Sequence, residues 1–288
     1  MKKMLKFMLI VLAYFILWMV TSAVLPYSQA FKDLGADASP LSLLFLFLNS
    51  VFVCFAICFI AANSIWRGVK RAGGIIFAVF MTAAFMTQIE TWFFGDAFPI
   101  LTKLDILFIA LATLPSIIAA TLLGCKFFGR NDTADKCAPV QVLPLIGRIA
   151  LLGMIYVTVY YTFGYFVAWQ FEALRVFYSG SAENAGFIGG LINNADNNPI
   201  FYPFQFARGM MFASFMLPIL FMLRDNRKKF IKGCCLVYLT TAVVLIIPNA
   251  LFPDAVRWAH FYEMTSSMLI FGIITGIVLY TPSKSNLR

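Results

Sequence analysis

Eight apolar runs, at approximately 4–25, 41–64, 75–94, 105–124, 143–168, 207–223, 233–251 and 258–281, constrain this chain more than any motif it carries. Crossing about 30 Å of hydrocarbon takes about 20 residues of helix, and each run is close to that length. A composition of 61% hydrophobic and 12% charged residues, with a mean hydropathy of +0.86, excludes a water-soluble globule. Soluble domains carry roughly a quarter charged residues. The expected fold is therefore an all-α polytopic membrane helix bundle of about eight transmembrane helices, forming a single integral membrane domain over residues 1–288.

Lysine and arginine placement orients the bundle, because cytoplasmic loops retain basic residues. With the N-terminus inside, 17 of the 22 basic residues fall on the cytoplasmic side, in clusters such as Lys2-Lys3, Lys70-Arg71, Arg227-Lys228-Lys229 and the ends Lys284 and Arg288. Lys136 belongs to the same side, whereas Lys32, Lys103, Arg175, Arg208 and Arg257 fall outside or near it. Of the 13 acidic residues only Asp132, Asp135 and Asp225 fall inside. Both termini are expected in the cytoplasm of a cell-membrane protein. The net charge of +9 is dispersed among short loops, so it reads as a topology signal and not as a nucleic-acid footprint. Residues 1–30 also have the basic start, apolar core and small residues of a cleavable signal peptide, but the apolar run exceeds the usual core of about 7–15 residues.

Cysteine use fits a reducing interior. Cys54 and Cys58 lie in the second run, and Cys125, Cys137, Cys234 and Cys235 lie at or near the inner face, so disulfides are not expected. A zinc site among them would need ligands that the vicinal pair Cys234-Cys235 is poorly shaped to give. Pro115 and Pro218 fall within runs and can kink their helices. Phe98-Pro99 after the third run and Phe252-Pro253 after the seventh form a faint echo between two halves of four spans. The longest connection, 169–206, is amide- and glycine-rich and is expected to be an extracytoplasmic loop. It reads either as a lid over an outward-facing cavity or as a solvated loop with its aromatics at the headgroup belt.

Ionisable residues inside such runs mark candidate function. Arg257, His260 and Glu263 are spaced by three at the head of the last run, and His260 is the only histidine. Counted from Tyr280 at about 1.5 Å per residue, Glu263 lies about 25 Å in, just below the outer hydrocarbon boundary. Glu263, Ser267 and His260 share a sector of about 60°, with Gly272 and Gly276 roughly opposite as a close-packing pair. In the third run, Gln88 and Glu90 reach similar depth but project about 160° apart, so only one is expected to face a narrow site. Glu90 is the better candidate, since a buried charge demands a partner. Arg208 and Arg175 can supply positive charge nearby.

Three readings follow. Glu90 and Glu263 can be proton- or cation-binding carboxylates in a transporter of a small solute, with His260 as relay and Arg257 or Arg208 tuning them. Alternatively Glu90, His260 and Glu263 bind a metal or act as general acid and base in a membrane enzyme on a lipid-linked or extracytoplasmic substrate. In the third reading, Arg257 and Arg208 pair with the glutamates and lock the helices of an accessory subunit. The sequence contains no Gly-x-Ser-x-Gly elbow, Walker loop or dinucleotide glycine pattern, so no cofactor is indicated. The partners expected are the lipid bilayer and a small-molecule or lipid ligand.

Overall fold

In the computed structural model, which describes residues 2–35, 40–130 and 142–281, eight helices are long and apolar enough to cross a membrane. These spans, numbered first to eighth, are Lys2–Val24, Leu41–Asn63, Gly68–Phe93, Lys103–Phe128, Leu143–Gln170, Phe201–Leu223, Arg227–Ile246 and Asp254–Val278. There is no strand among the described residues. Cys137, Lys136, Lys284, Arg288, Asp132 and Asp135 lie outside them, so the expectations placed on those positions have no structural counterpart. The cysteines 54, 58, 125, 234 and 235 are all free.

Three spans begin well before their apolar runs, among them the sixth, at Phe201 and not near 207. The third starts at Gly68 and not near 75 because Arg71 is accommodated at the helix end, donating to the carbonyls of Arg130 (3.0 Å) and Cys125 (3.4 Å). The seventh starts at Arg227 and not near 233 because the Asn226 side chain caps it, accepting from Lys229 N–H at 3.1 Å.

Contacts between span ends show that the chain alternates between two faces. On one face Lys6 lies over the Phe127 ring at 5.4 Å, Ile65 N–H donates to Met222 O at 2.9 Å, and Tyr280 Oη donates to Arg224 O at 3.1 Å. On the other, Asp105 accepts from Ser28 N–H (2.8 Å) and Ser28 Oγ (2.7 Å), while Ser42 Oγ donates to Pro248 O at 3.3 Å. The Phe98 and Phe252 rings of the two echoed dipeptides meet there edge-on at 5.3 Å. The first may be called the terminal face, since both ends of the described chain reach it, and the second the loop face.

The first span packs into the bundle through Ile10, Val11 and Tyr14, all buried, while Leu5, Leu9, Leu12 and Ile16 stay exposed. An exposed apolar stripe of that kind is what a lipid-facing helix presents. Two prolines interrupt their spans: the fourth breaks at Thr113 before Pro115, and the sixth at Met216 before Pro218. Close approach of helices occurs where side chains are lacking. A methyl group on Gly209 would stand 2.4 Å from Tyr156 Cβ and 2.9 Å from Gly153 Cα, which clamps the sixth span onto the fifth. Gly272 and Gly276 seat the eighth span against Cys235 and Ile231 of the seventh, opposite its polar face as their spacing predicts.

The connection between the fifth and sixth spans is itself helical at Glu172–Ser179 and Gly186–Asn197, turning at Gly180 (φ 70°) and Gly186 (φ 78°). Both glycines take the left-handed conformation that other residues resist. The apolar stretch around Phe187 lies on the fifth span, with Phe187 O accepting from Tyr161 Oη at 2.9 Å and its ring stacked on Phe166.

Because the Gly153–Gly209 contact leaves no room for a methyl group, Gly209→Ala is expected to lower stability by about 1–3 kcal/mol, the usual cost of overpacking. Gly147, with no atom within 4 Å of an added methyl, is the control. Thermal unfolding in detergent checks this: Gly209→Ala should melt earlier than wild type and Gly147→Ala should not.

Candidate functional site

The third span is not a regular α-helix. Residues Met81–Phe85 form a π-turn, which widens the helix by one residue and redirects the next segment, Met86–Phe93. Thr87 Oγ1 donates to the carbonyls of Ala84 (2.8 Å) and Ala83 (3.2 Å), answering groups that the wider turn leaves loose. Glu90 follows one turn later.

Glu90 meets Arg208 of the sixth span. The contact is bidentate, with Nη1 donating to Oε1 at 2.7 Å and Nη2 to Oε2 at 2.6 Å, the strong geometry for this pair. Arg208 Nη1 also donates to Gln205 Oε1 at 2.8 Å, and Tyr160 Oη donates to Glu90 Oε1 at 3.2 Å. The rings of Tyr156, Tyr160, Phe204 and Phe212 surround the guanidinium at 5.7–5.9 Å. Arg208 is fully enclosed, whereas the Glu90 side chain keeps 25% of its surface.

Glu263 sits on the eighth span beside this pair, with Glu90 and Arg208 within electrostatic reach. It is buried, accepts a hydrogen bond from Ser267 Oγ at 3.1 Å, and has no basic side chain at ion-pair distance among the described residues. One turn toward the loop face, His260 Nε2 is hydrogen-bonded to Tyr178 Oη at 3.0 Å. Tyr178 lies in the short helix Glu172–Ser179, outside the spans. Burial, and then the charges of Glu90 and Glu263, push its phenol well above the ordinary range, so it keeps its proton at neutral pH.

Glu90, Gln88, His260 and Glu263 all line one cavity of about 1210 Å³ in the loop-face half of the bundle. That exceeds the 300–1,000 Å³ or so of an ordinary ligand pocket. Its deepest residues include Val53 on the second span, Ile117 on the fourth and Tyr14 on the first, leaving about 15 Å, 17 Å and 18 Å of each helix below them. Beneath the ionisable cluster lie the packed rings of Tyr156, Phe212, Phe271 and Tyr238, at centroid distances of 5.1–5.5 Å and at most 1% exposed.

Several sequence expectations change. Gln88 and Glu90 both face the cavity, because it is wide enough to wrap around the helix that carries them. Arg257 joins neither glutamate: it pairs with Asp254 at 2.7 Å and donates to the carbonyls of Leu245 and Ile246, closing the connection from the seventh span. Arg175 is likewise spent on loop carbonyls, those of Trp169 and Ala182. Among the described residues no three His, Cys, Asp or Glu side chains are grouped to hold a metal ion, so Glu90, His260 and Glu263 do not form the metal set that their types allow. Gln205, Tyr160 and Tyr178 are participants that charge alone does not reveal. The helical spacing of Gln205 to Arg208 and of Tyr156 to Tyr160 was the available signal.

Compared with known proteins, the chain matches no family model, no curated protein and no solved structure.

Removing one member of a buried ion pair typically costs 3–5 kcal/mol by stranding the other. Glu90→Gln and Arg208→Met should each cost about 3 kcal/mol, at the low end because Glu90 is partly exposed. The double variant should lose less than the sum. Denaturant unfolding of all four proteins forms the cycle, and strictly additive losses would show that the pair is uncoupled.

Proposed function

We propose that this protein is a proton-coupled carrier of a small solute, with Glu263 as the group that takes up and releases the proton. The carrying observation is a buried carboxyl that lines a large cavity in the loop-face half and has no ion-pair partner among the described residues. A lone carboxylate is costly there, so it is neutralised by a proton or by a cation. Glu90 is already neutralised by Arg208, which leaves Glu263 free to exchange.

Helix irregularities support the reading. The π-turn at Met81–Phe85 and the break at Thr113 carry cavity-lining residues, and the sixth span breaks at Met216. Breaks of this kind are where packed helices bend. In this reading the connection 171–200, shorter than the expected 169–206 because the sixth span starts at Phe201, is a lid: Leu174, Tyr178, Gly190 and Asn193 line the cavity, and Gly180 and Gly186 are its hinges. The terminal face, with Lys2, Lys3, Lys6, Arg67 and Arg227–Lys229, is cytoplasmic by the retention of basic residues, placing the cavity on the outer side of the cell membrane.

One observation favours a second reading, a membrane-embedded enzyme on an extracytoplasmic or lipid-linked substrate. The Tyr178–His260 hydrogen bond stands one turn from Glu263, a spacing suited to acid–base work. An accessory role resting only on ion pairs is less favoured, because it gives Glu263 no partner.

Metabolite and lipid profiling of a deletion strain separates these readings. Wild type should restore the distribution of a solute across the membrane, and Glu263→Gln should fail to do so at equal abundance in the membrane. Restored lipid or product chemistry with no change in solute distribution would favour the enzyme. Complete rescue by Glu263→Gln would overturn the assignment of the site.

A further inference from the structure

We propose that the ligand of this cavity is a hydrophobic organic cation, held by an aromatic belt and countered by Glu263. The proposal rests on the carrier reading and adds the chemical class of the solute.

Ring contacts run in one unbroken chain along the wall of the cavity that Glu263 also lines. Tyr160 touches Phe201 (6.0 Å), Phe201 touches Phe94 (6.4 Å), Phe94 touches Tyr178 (6.4 Å), and Tyr178 touches the His260 ring (5.6 Å). His260 continues to Phe252 at 5.7 Å, and Phe252 to Phe98 at 5.3 Å. All seven residues line the cavity. Aromatic faces attract cations through their quadrupole, and most strongly where water is excluded.

Charge removes the competing classes. An anion would meet Glu263, while the nearest buried guanidinium, Arg208, is occupied by both oxygens of Glu90. A bare metal cation would require several ligands, and the described residues gather no group of three His, Cys, Asp or Glu side chains to supply them. A cation with apolar substituents matches both the carboxylate and the rings. Binding then exchanges one charge for another: the protonated carboxyl of Glu263 releases its proton as the cation arrives, and regains it when the cation leaves. The groups facing Glu263 that also bear on this exchange are His260 and Ser267 on its own span, Glu90, Arg208, Tyr156 and Tyr160 on neighbouring spans, and Tyr178 of the loop. Lys32 and Glu183 also line the cavity.

Two probes of equal shape and opposite charge, tetraphenylphosphonium and tetraphenylborate, test this on the full chain in lipid nanodiscs. Trp18 and Trp169 line the cavity and report binding by fluorescence quenching. The cation should bind at least about tenfold more tightly than the anion, a difference of about 1.4 kcal/mol. Its affinity should fall on acidification as protons compete, and a pH dye should record proton release. Glu263→Gln should lose about tenfold in affinity together with the proton release, Glu263→Asp should keep most of both, and Phe201→Leu should weaken the cation while leaving proton binding intact. Equal or tighter binding of the borate, or undiminished cation binding by a folded Glu263→Gln protein, would overturn the proposal.

The same titration without a probe keeps the two readings apart. Glu263-dependent proton uptake without cation binding would remove the cation and leave the carrier. Cation binding without Glu263-dependent proton uptake would remove the proton coupling and leave the cation site.

Discussion

Everything at the centre of this bundle depends on how Arg208 is neutralised. A guanidinium that is only 1% exposed inside a membrane domain must have its charge answered, and Glu90 does so with both oxygens while Gln205 accepts a further bond from Nη1 and Tyr160 donates to Glu90; Nε alone is left without a hydrogen-bond partner. The pair ties the third span to the sixth, and Gly153 and Gly209 bring the fifth close enough for its tyrosines to complete the enclosure. Its most important consequence is indirect. Because Arg208 and Glu90 satisfy each other, the neighbouring Glu263 has no basic partner and turns toward the cavity.

The two halves of the membrane domain obey different rules. In the terminal half, residues such as Ile57, Ile60, Ile219, Leu223 and Phe230 are fully buried and interdigitate with glycine contacts between the seventh and eighth spans. In the loop half, the helices separate around the cavity, and irregular backbone lines that space at the π-turn of the third span and at Thr113 of the fourth. This is the location a membrane protein tolerates, since polar backbone groups can be satisfied there by side chains or water. The Thr87 hydroxyl beside the π-turn is one such solution. The four packed rings lie beneath Glu263 at the border between the halves.

The architecture was legible because bilayer thickness leaves few choices: a run of about 20 apolar residues becomes a spanning helix whatever its neighbours do. The third, sixth and seventh spans start earlier than their apolar runs, the third and seventh because Arg71 and Lys229 can enter a helix end once carbonyls or a cap receive them. For the site, depth was legible and partnership was not. Rise per residue put Glu90 and Glu263 at matching depth, and they do face one cavity. Which arginine answers which carboxylate depends on helix neighbours that periodicity cannot specify. Arg257 illustrates this: Asp254, one turn before it, offered a partner within the same helix and takes it. Tyr178 could not be placed at all from sequence, because it reaches His260 across 82 positions from a loop helix.

What distinguishes Glu263 from Glu90 is physical: Glu90 is held in a bidentate ion pair, whereas Glu263 is held by a serine and has no ion-pair partner among the described residues. Infrared difference spectroscopy of the purified protein through a pH ramp measures this directly, since a protonated buried carboxyl has a stretching band separate from that of a carboxylate. The expected result is a titrating carboxylic-acid band that vanishes in Glu263→Gln and survives in Glu172→Gln, whose carboxylate is exposed and outside the cavity lining. A band that persists in Glu263→Gln, or no titrating band in wild type, would contradict the assignment of Glu263 as the proton-carrying group.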